Sequence, residues 1–276
     1  MKRFFLIAGC VAFAGIAHSQ VTDTFVLIQH TKIYYHLQGR AKPTVIFVSG
    51  MAEDHNTWND VQDSIAAFST TVSYDRAGLG KSGYHNEKKD VHSLATELSG
   101  LTKAIRLPKP FILVGHSLGC QIVKEYAALF PTTVAGLVFV DPGYNEEKLR
   151  ARLPDSVWQQ REAALKKYIP PFNAAQEAER QHANESAATS DRITTLPKVP
   201  IVLLTATHVN PDFPASATEF EVKRETHLLW LHSLPWATHI ETTLSRHYIQ
   251  NDAPQLVIDA VRRIAQHIRQ ATNKSS

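Results

Sequence analysis

Cysteine is nearly absent from this sequence: Cys10 and Cys120 are the two in 276 residues. A chain so poor in thiols has to be held together by its core. Charge of one sign is lacking as well, with 29 basic against 26 acidic residues and a formal net charge of +3. No dense basic run stands out, so nothing argues for nucleic acid as a partner. Apolar runs long enough for a membrane span are missing, because the longest, Phe4 to Ala17, is too short. What remains is an ordinary globular balance, 43% hydrophobic and 20% charged, enough for a sizeable core.

The first residues stand apart from that balance. Met1-Lys2-Arg3 is basic, Phe4 to Ala17 is apolar, and Ala17-His18-Ser19 supplies the small residues a signal peptidase needs. The pattern predicts a secretory leader, residues 1–19, and a mature chain from Gln20 that is periplasmic or secreted. The alternative is a lipoprotein, since Ile7-Ala8-Gly9-Cys10 resembles a bacterial lipobox and would anchor the protein to a membrane through Cys10. Cleavage after Ser19 is preferred, because Cys10 comes early and the apolar stretch continues past it. Cys120 is then the one thiol left, and no intramolecular disulfide can form.

Behind the leader, short β-rich runs alternate with segments of helical length. Phe25–Ile28 and Ile33–Leu37 predict an opening antiparallel hairpin. Thr44–Val48, Thr71–Tyr74, Phe111–Val114, Leu137–Val140, Ile201–Leu204 and Ala237–Ile240 follow, and apolar strands of this kind suit a parallel sheet covered on both faces. Helices are predicted over Trp58–Phe68 (capped by Asn56-Thr57), Asp90–Ile105, Leu118–Phe130 and Ala253–Gln270. Residues 144–197 break the alternation, rich in Ala, Glu, Gln, Lys and Arg, and predict a helical cap inserted after the sixth strand.

Gly115-His116-Ser117-Leu118-Gly119 sits between an apolar strand and a helix and has the form G-x-S-x-G. So sharp a reversal strains the central residue and needs small neighbours two positions away, Gly115 and Gly119. The hydroxyl of Ser117 then stands at a helix N-terminus, where developing negative charge is favoured. A serine needs a base, and there are fourteen histidines. His227 and His232 are five apart, off the spacing that puts two ligands on one helical face, and no metal site is expected. His239 falls inside the last predicted strand, as a core or edge residue. His247, in the loop before the terminal helix, can reach over the carboxyl edge of the sheet toward Ser117.

Taken together, Val48-Ser49-Gly50-Met51, Tyr74-Asp75-Arg76-Ala77-Gly78-Leu79-Gly80-Lys81-Ser82, the Ser117 turn, Val140-Asp141-Pro142 and the His247 segment resemble an α/β-hydrolase of the esterase-like branch with a helical cap. The resemblance runs from about Phe25 to Gln270 and implies an α/β fold with a mostly parallel eight-stranded sheet and helices on both faces. It also implies the order Ser…acid…His. The acid is Asp141, after strand six, or Asp212, in the loop after strand seven; Asp141 is preferred because a strand end fixes a carboxylate better than a longer loop. The oxyanion hole would use the N–H groups of Leu118 and Met51, with Ser49-Gly50 where many relatives have His-Gly. Asp75-Arg76-Ala77-Gly78 is expected to shape a loop under the site, and Cys120 to be a small packing residue.

The expected reaction is hydrolysis of a small to medium carboxylic ester, or an amide, through an acyl-enzyme, with no metal or organic cofactor. Met51, Trp158, Tyr168, Phe172, Phe213 and Trp230 are candidates for an apolar acyl pocket. Peptidase, acyltransferase or perhydrolase chemistry would use the same residues, and a non-catalytic small-ligand receptor is the alternative from another class.

Overall fold

The computed structural model describes residues 21–275, so the expected leader and Cys10 lie outside the described residues. Eight strands, β1 (Thr22–Ile28), β2 (Thr31–Gln38), β3 (Thr44–Val48), β4 (Thr70–Tyr74), β5 (Phe111–His116), β6 (Val134–Val140), β7 (Ile201–Ala206) and β8 (Thr238–Thr242), form one sheet in the order β1-β2-β4-β3-β5-β6-β7-β8. The opening hairpin is present, with Phe25 opposite Tyr34, and β2 is antiparallel to both its neighbours. From β4 through β8 every pairing is parallel.

Among the described residues nine α-helices accompany the strands, the last two after β8: α1 (Asn59–Ala66), α2 (Val91–Ala104), α3 (Leu118–Leu129), α4 (Glu146–Arg150), α5 (Asp155–Tyr168), α6 (Ala174–Arg192), α7 (Ser216–Ser233), α8 (Ile249–Asp252) and α9 (Pro254–Ser275). Alternation along the strands splits the core in two. Val45, Phe47, Ile112, Val114, Val138 and Val140 face α1 and α9, packing on Trp58, Ile65, Val257, Val261 and Ile264. Ile46, Val48, Leu113, Leu137 and Phe139 face the other way, onto α2 and α3. Both layers are fully buried, and each buried Val, Leu or Ile contributes roughly 1.5–3 kcal/mol.

Two details depart from the sequence reading. The chain enters α1 through a 3₁₀ turn, His55–Trp58, capped by the Asp54 carboxylate on the Asn56 N–H and not by Asn56 or Thr57 themselves. Helix α7 is a second difference, since the sequence pattern predicts no helix there. Its Leu228 and Leu229 are exposed beside buried Val222, Lys223, His227 and Trp230, which blurs the one-sided apolar stripe that marks a helix. Between β6 and β7 lie α4, α5 and α6. Among the described residues, no helix is long and apolar enough to cross a membrane.

Strand register brings the candidate residues together. Val48 pairs with Gly115, His116 with Val140, and Val140 with Leu204. The loops after β3, β5, β6 and β7 therefore leave the sheet side by side at its carboxyl edge, where open α/β sheets bind ligands.

Candidate active site

Ser117 begins α3 with φ +50° and ψ −116°, a conformation that costs a residue with a β-carbon of order 1–3 kcal/mol. Its neighbours explain how the turn closes. A β-carbon on Gly119 would lie 2.0 Å from the Val48 carbonyl oxygen, and one on Gly115 2.4 Å from that of Gly119. The elbow is thus pressed directly against the end of β3. The Ser117 N–H donates to Val140 O at 3.1 Å, which ties the strained residue to the neighbouring strand. Its hydroxyl faces the loop after β6, 3.5 Å from where a β-carbon on Gly143 would stand.

Asp141 and His247 meet across that loop. His247 Nδ1 donates to Asp141 Oδ2 at 2.7 Å, leaving Nε2 as the free ring nitrogen. Asp141 is fully buried at φ +45°, and the Ala206 N–H donates to its other oxygen at 2.9 Å. Burial opposes its charge, but the His247 hydrogen bond and the Lys223 ammonium hold the carboxyl down at about 2. Asp212 is exposed in the β7–α7 loop, where its N–H bonds Asn210 Oδ1, and it makes no contact with His247. Ser117 Oγ and His247 Nε2 are not hydrogen-bonded to each other; contacts of this kind often tighten only with substrate in place.

Helix α7 supplies two buried supports one turn apart. Lys223 Nζ donates to Asp141 Oδ2 (3.0 Å) and to Ala206 O (2.7 Å). His227 Nε2 donates to Pro142 O at 2.9 Å, so its Nδ1 accepts from the Thr205 hydroxyl at 2.8 Å. The Thr205 oxygen in turn accepts from His239 Nε2 at 2.9 Å. Burial keeps His227 neutral, near 4.

Beneath His247 lies a pair that sequence reasoning missed. His116 Nε2 donates to the His247 carbonyl (3.1 Å), and His116 Nδ1 faces Glu53 Oε2 (3.1 Å). A carbonyl and a carboxylate both accept, so both ring nitrogens carry protons and His116 is an imidazolium. Burial would lower its pKa, but Glu53 raises it; Glu53 is held well below the usual carboxylate range, burial being overcome by His116 and by the Gly50 N–H. The His116 and His247 rings lie 4.6 Å apart, tilted by 49°, with Tyr248 5.0 Å from His116.

The turn after β3 carries Met51, half-buried. Ser49 donates its hydroxyl to Asp54 O (2.8 Å) and accepts from Trp58 Nε1 (3.1 Å). Asp75 accepts from the His55 and Lys81 N–H groups and from the His55 ring, the loop-shaping part expected of its segment. Cys120 is buried and donates its thiol to Gly115 O.

Of the pocket candidates, Trp230 is a packing residue instead. It is buried edge-on to Phe139, donates to Asp191 and lies under the Lys124 ammonium, which leaves it no open face. Trp158 is partly buried between Arg150 and Arg161. Met51, Phe172 and Phe213 are partly buried, and the Tyr168 side chain lies outside the described residues.

A sequence profile of the alpha/beta hydrolase fold matches residues 43–262, most of the chain, and the chain belongs to that family. It is 31% identical over 115 residues to the uncharacterized protein YqjL of Bacillus subtilis (strain 168), covering 40% of this chain and 44% of that protein. A pyrrolizixenacetamide deacetylase of Xenorhabdus hominickii is 25% identical over 134 residues, 48% of this chain and 50% of that protein. Both alignments thus span half or less of the relative's length. The crystal structure of Cfl2 from Burkholderia cenocepacia superposes with a TM-score of 0.65, over 88% of this chain and 95% of that one; at 19% identity the likeness speaks for the fold.

Proposed function

We propose that this protein is a serine hydrolase that cleaves a small to medium carboxylic ester, and secondarily an amide, through an acyl-enzyme. One observation carries the reading: His247 is held at Nδ1 by a buried, ionised Asp141, at the sheet edge where a strained turn presents Ser117. Ser117 Oγ attacks the carbonyl carbon while His247 Nε2 takes its proton, and Asp141 stabilises the imidazolium that forms. The N–H groups of Leu118 and Met51 receive the oxyanion. On collapse, His247 returns the proton to the leaving alcohol or amine; water, activated by the same nitrogen, then releases the acid. The hydrolase family and the deacetylase among the relatives support hydrolysis as the reaction class. The α4–α6 insertion acts as a cap over the acyl side.

A fluorophosphonate probe tests the assignment. Wild type is expected to label at Ser117, Ser117→Ala not at all, and Asp141→Asn to lose on the order of 10⁴-fold in ester turnover. Asp212→Asn is expected to behave as wild type. Labelling of Ser117→Ala, or collapse of Asp212→Asn with Asp141→Asn intact, overturns the corresponding role. Export belongs to the same proposal: the intact mass of the mature protein is expected to start at Gln20, and a diacylated Cys10 would replace that reading with an anchored lipoprotein.

A further inference from the structure

Helix α6 belongs to the insertion, yet it grips the turn that holds Met51. The Ala52 N–H donates to Glu179 Oε2 at 2.9 Å, and Gln176 Nε2 donates to Ala52 O at 2.9 Å. Ala52 has φ +64°, where a β-carbon is disfavoured, so the turn needs outside support. Glu179 is itself forked by Arg76, with Nε to Oε1 at 2.7 Å and Nη2 to Oε2 at 2.9 Å, both side chains almost wholly buried. Arg76 then spends two of its three remaining N–H groups on the same turn: Nη1 donates to Ser49 O (2.8 Å) and Nη2 to Gly50 O (2.6 Å).

The peptide geometry makes this contact directional. A trans peptide is planar, with its C=O and N–H pointing opposite ways. Arg76 fixes the Gly50 carbonyl and therefore aims the Met51 N–H of the same peptide to the other side. Glu179 fixes the next peptide through the Ala52 N–H. Met51 is thus flanked by two peptide planes whose orientation depends on one carboxylate carried by the inserted helix.

We propose that Glu179 and Gln176 are positioning residues for the oxyanion hole, so that α6 sets the rate of acyl transfer as well as covering the substrate. The proposal rests on reading Ser117 as the nucleophile and the Met51 N–H as an oxyanion donor. Neither α6 side chain touches the reacting atoms; Glu179 acts through Ala52 and Arg76, and Gln176 through Ala52.

The test uses the full-length protein with acetyl and butyryl p-nitrophenyl esters and an aliphatic trifluoromethyl ketone, whose hemiketal oxygen occupies an oxyanion hole. Gln176→Glu is the cleaner variant. It keeps the acceptor that caps α6 on the Asn173 N–H and replaces only the donor to Ala52 O. Glu179→Gln is the second. Removing an oxyanion donor outright costs about 10²–10³-fold, so misaiming one is expected to lower kcat about tenfold to a hundredfold. KM is expected to stay within about twofold, and the ketone's inhibition constant to rise by the same factor as kcat/KM falls. A rise in KM at constant kcat, an effect that differs between the two esters, or an unchanged ketone affinity overturns the proposal. If Glu179→Gln fails to fold because Arg76 is left unpaired, Gln176→Glu decides alone. A wild type that neither labels with fluorophosphonate nor hydrolyses either ester sinks the parent reading, and this one with it.

Discussion

Replacing Glu53 by glutamine removes one charge from the pair beneath His247 while keeping the side chain's shape. In the folded protein the Glu53 carboxyl sits at about 2 instead of its ordinary 4.5, burial being outweighed by His116 and the Gly50 N–H. At about 1.4 kcal/mol for each pKa unit, that difference is on the order of 3 kcal/mol. The Gly50 N–H donates to a glutamine oxygen almost as well, so the expected loss is smaller, about 2 kcal/mol. The sign of the pH dependence follows from both partners. Glu53 is depressed, so its contribution is complete above pH 4.5 and disappears as pH falls toward 2. His116 is raised above 6.5, so its contribution is complete below that pH and disappears as pH climbs through the folded value. The two shifts describe one interaction and are counted once. Wild type and Glu53→Gln should therefore differ most between pH 4.5 and 6.5 and converge on either side. Urea unfolding at about pH 5.5 and about pH 8.5 measures this, with the larger difference in midpoint expected at the lower pH. An equal or larger difference at the higher pH would mean that His116 is neutral and the contact an ordinary hydrogen bond, which refutes the imidazolium.

Lys223→Met should lower kcat/KM about tenfold, because Asp141 loses one of the contacts that fix its carboxylate. A kcat/KM unchanged from wild type shows that Lys223 only packs. Cys120 is buried and its thiol pushed well above the ordinary range by burial, so a thiol reagent should leave the native protein untouched and modify it promptly in urea. Cys120→Ala is expected to keep wild-type turnover, and rapid labelling of the native thiol would contradict the packing role.

How much of this was legible in the sequence depends on the reach of each interaction. Continuous apolar runs announce the central strands because both faces of the sheet are covered, so burial acts on consecutive residues. The Ser117 turn is legible for the same reason: Gly115 and Gly119 are required within five positions by clashes a β-carbon would make. Helix α7 escaped because its polar residues, Lys223 and His227, point inward while Leu228 and Leu229 face water, the reverse of the usual pattern. Which of Asp141 and Asp212 meets His247 was ambiguous from the letters alone, since both follow strands. Strand-end placement separates them physically, as the backbone that buries Asp141 also supplies the Ala206 N–H.

The rest of the site is written in charges that lie far apart along the chain. Glu53 meets His116 across 63 positions, Asp141 meets Lys223 across 82, and Arg76 meets Glu179 across 103. Each partner alone reads as a surface residue or a helix-face charge, because no local pattern encodes a contact made only after the sheet has formed. Yet burying an ion pair is costly unless every remaining donor and acceptor is satisfied. Backbone groups of Ser49, Gly50, Ala52, Ala206 and His247 take up most of those contacts here. Apolar side chains of equal size would pack as well at these positions, but they could not fix the direction of a peptide plane or a carboxylate. The three pairs are therefore better understood as holding the edge loops in one geometry than as a source of net stability, and their removal should cost turnover out of proportion to melting temperature.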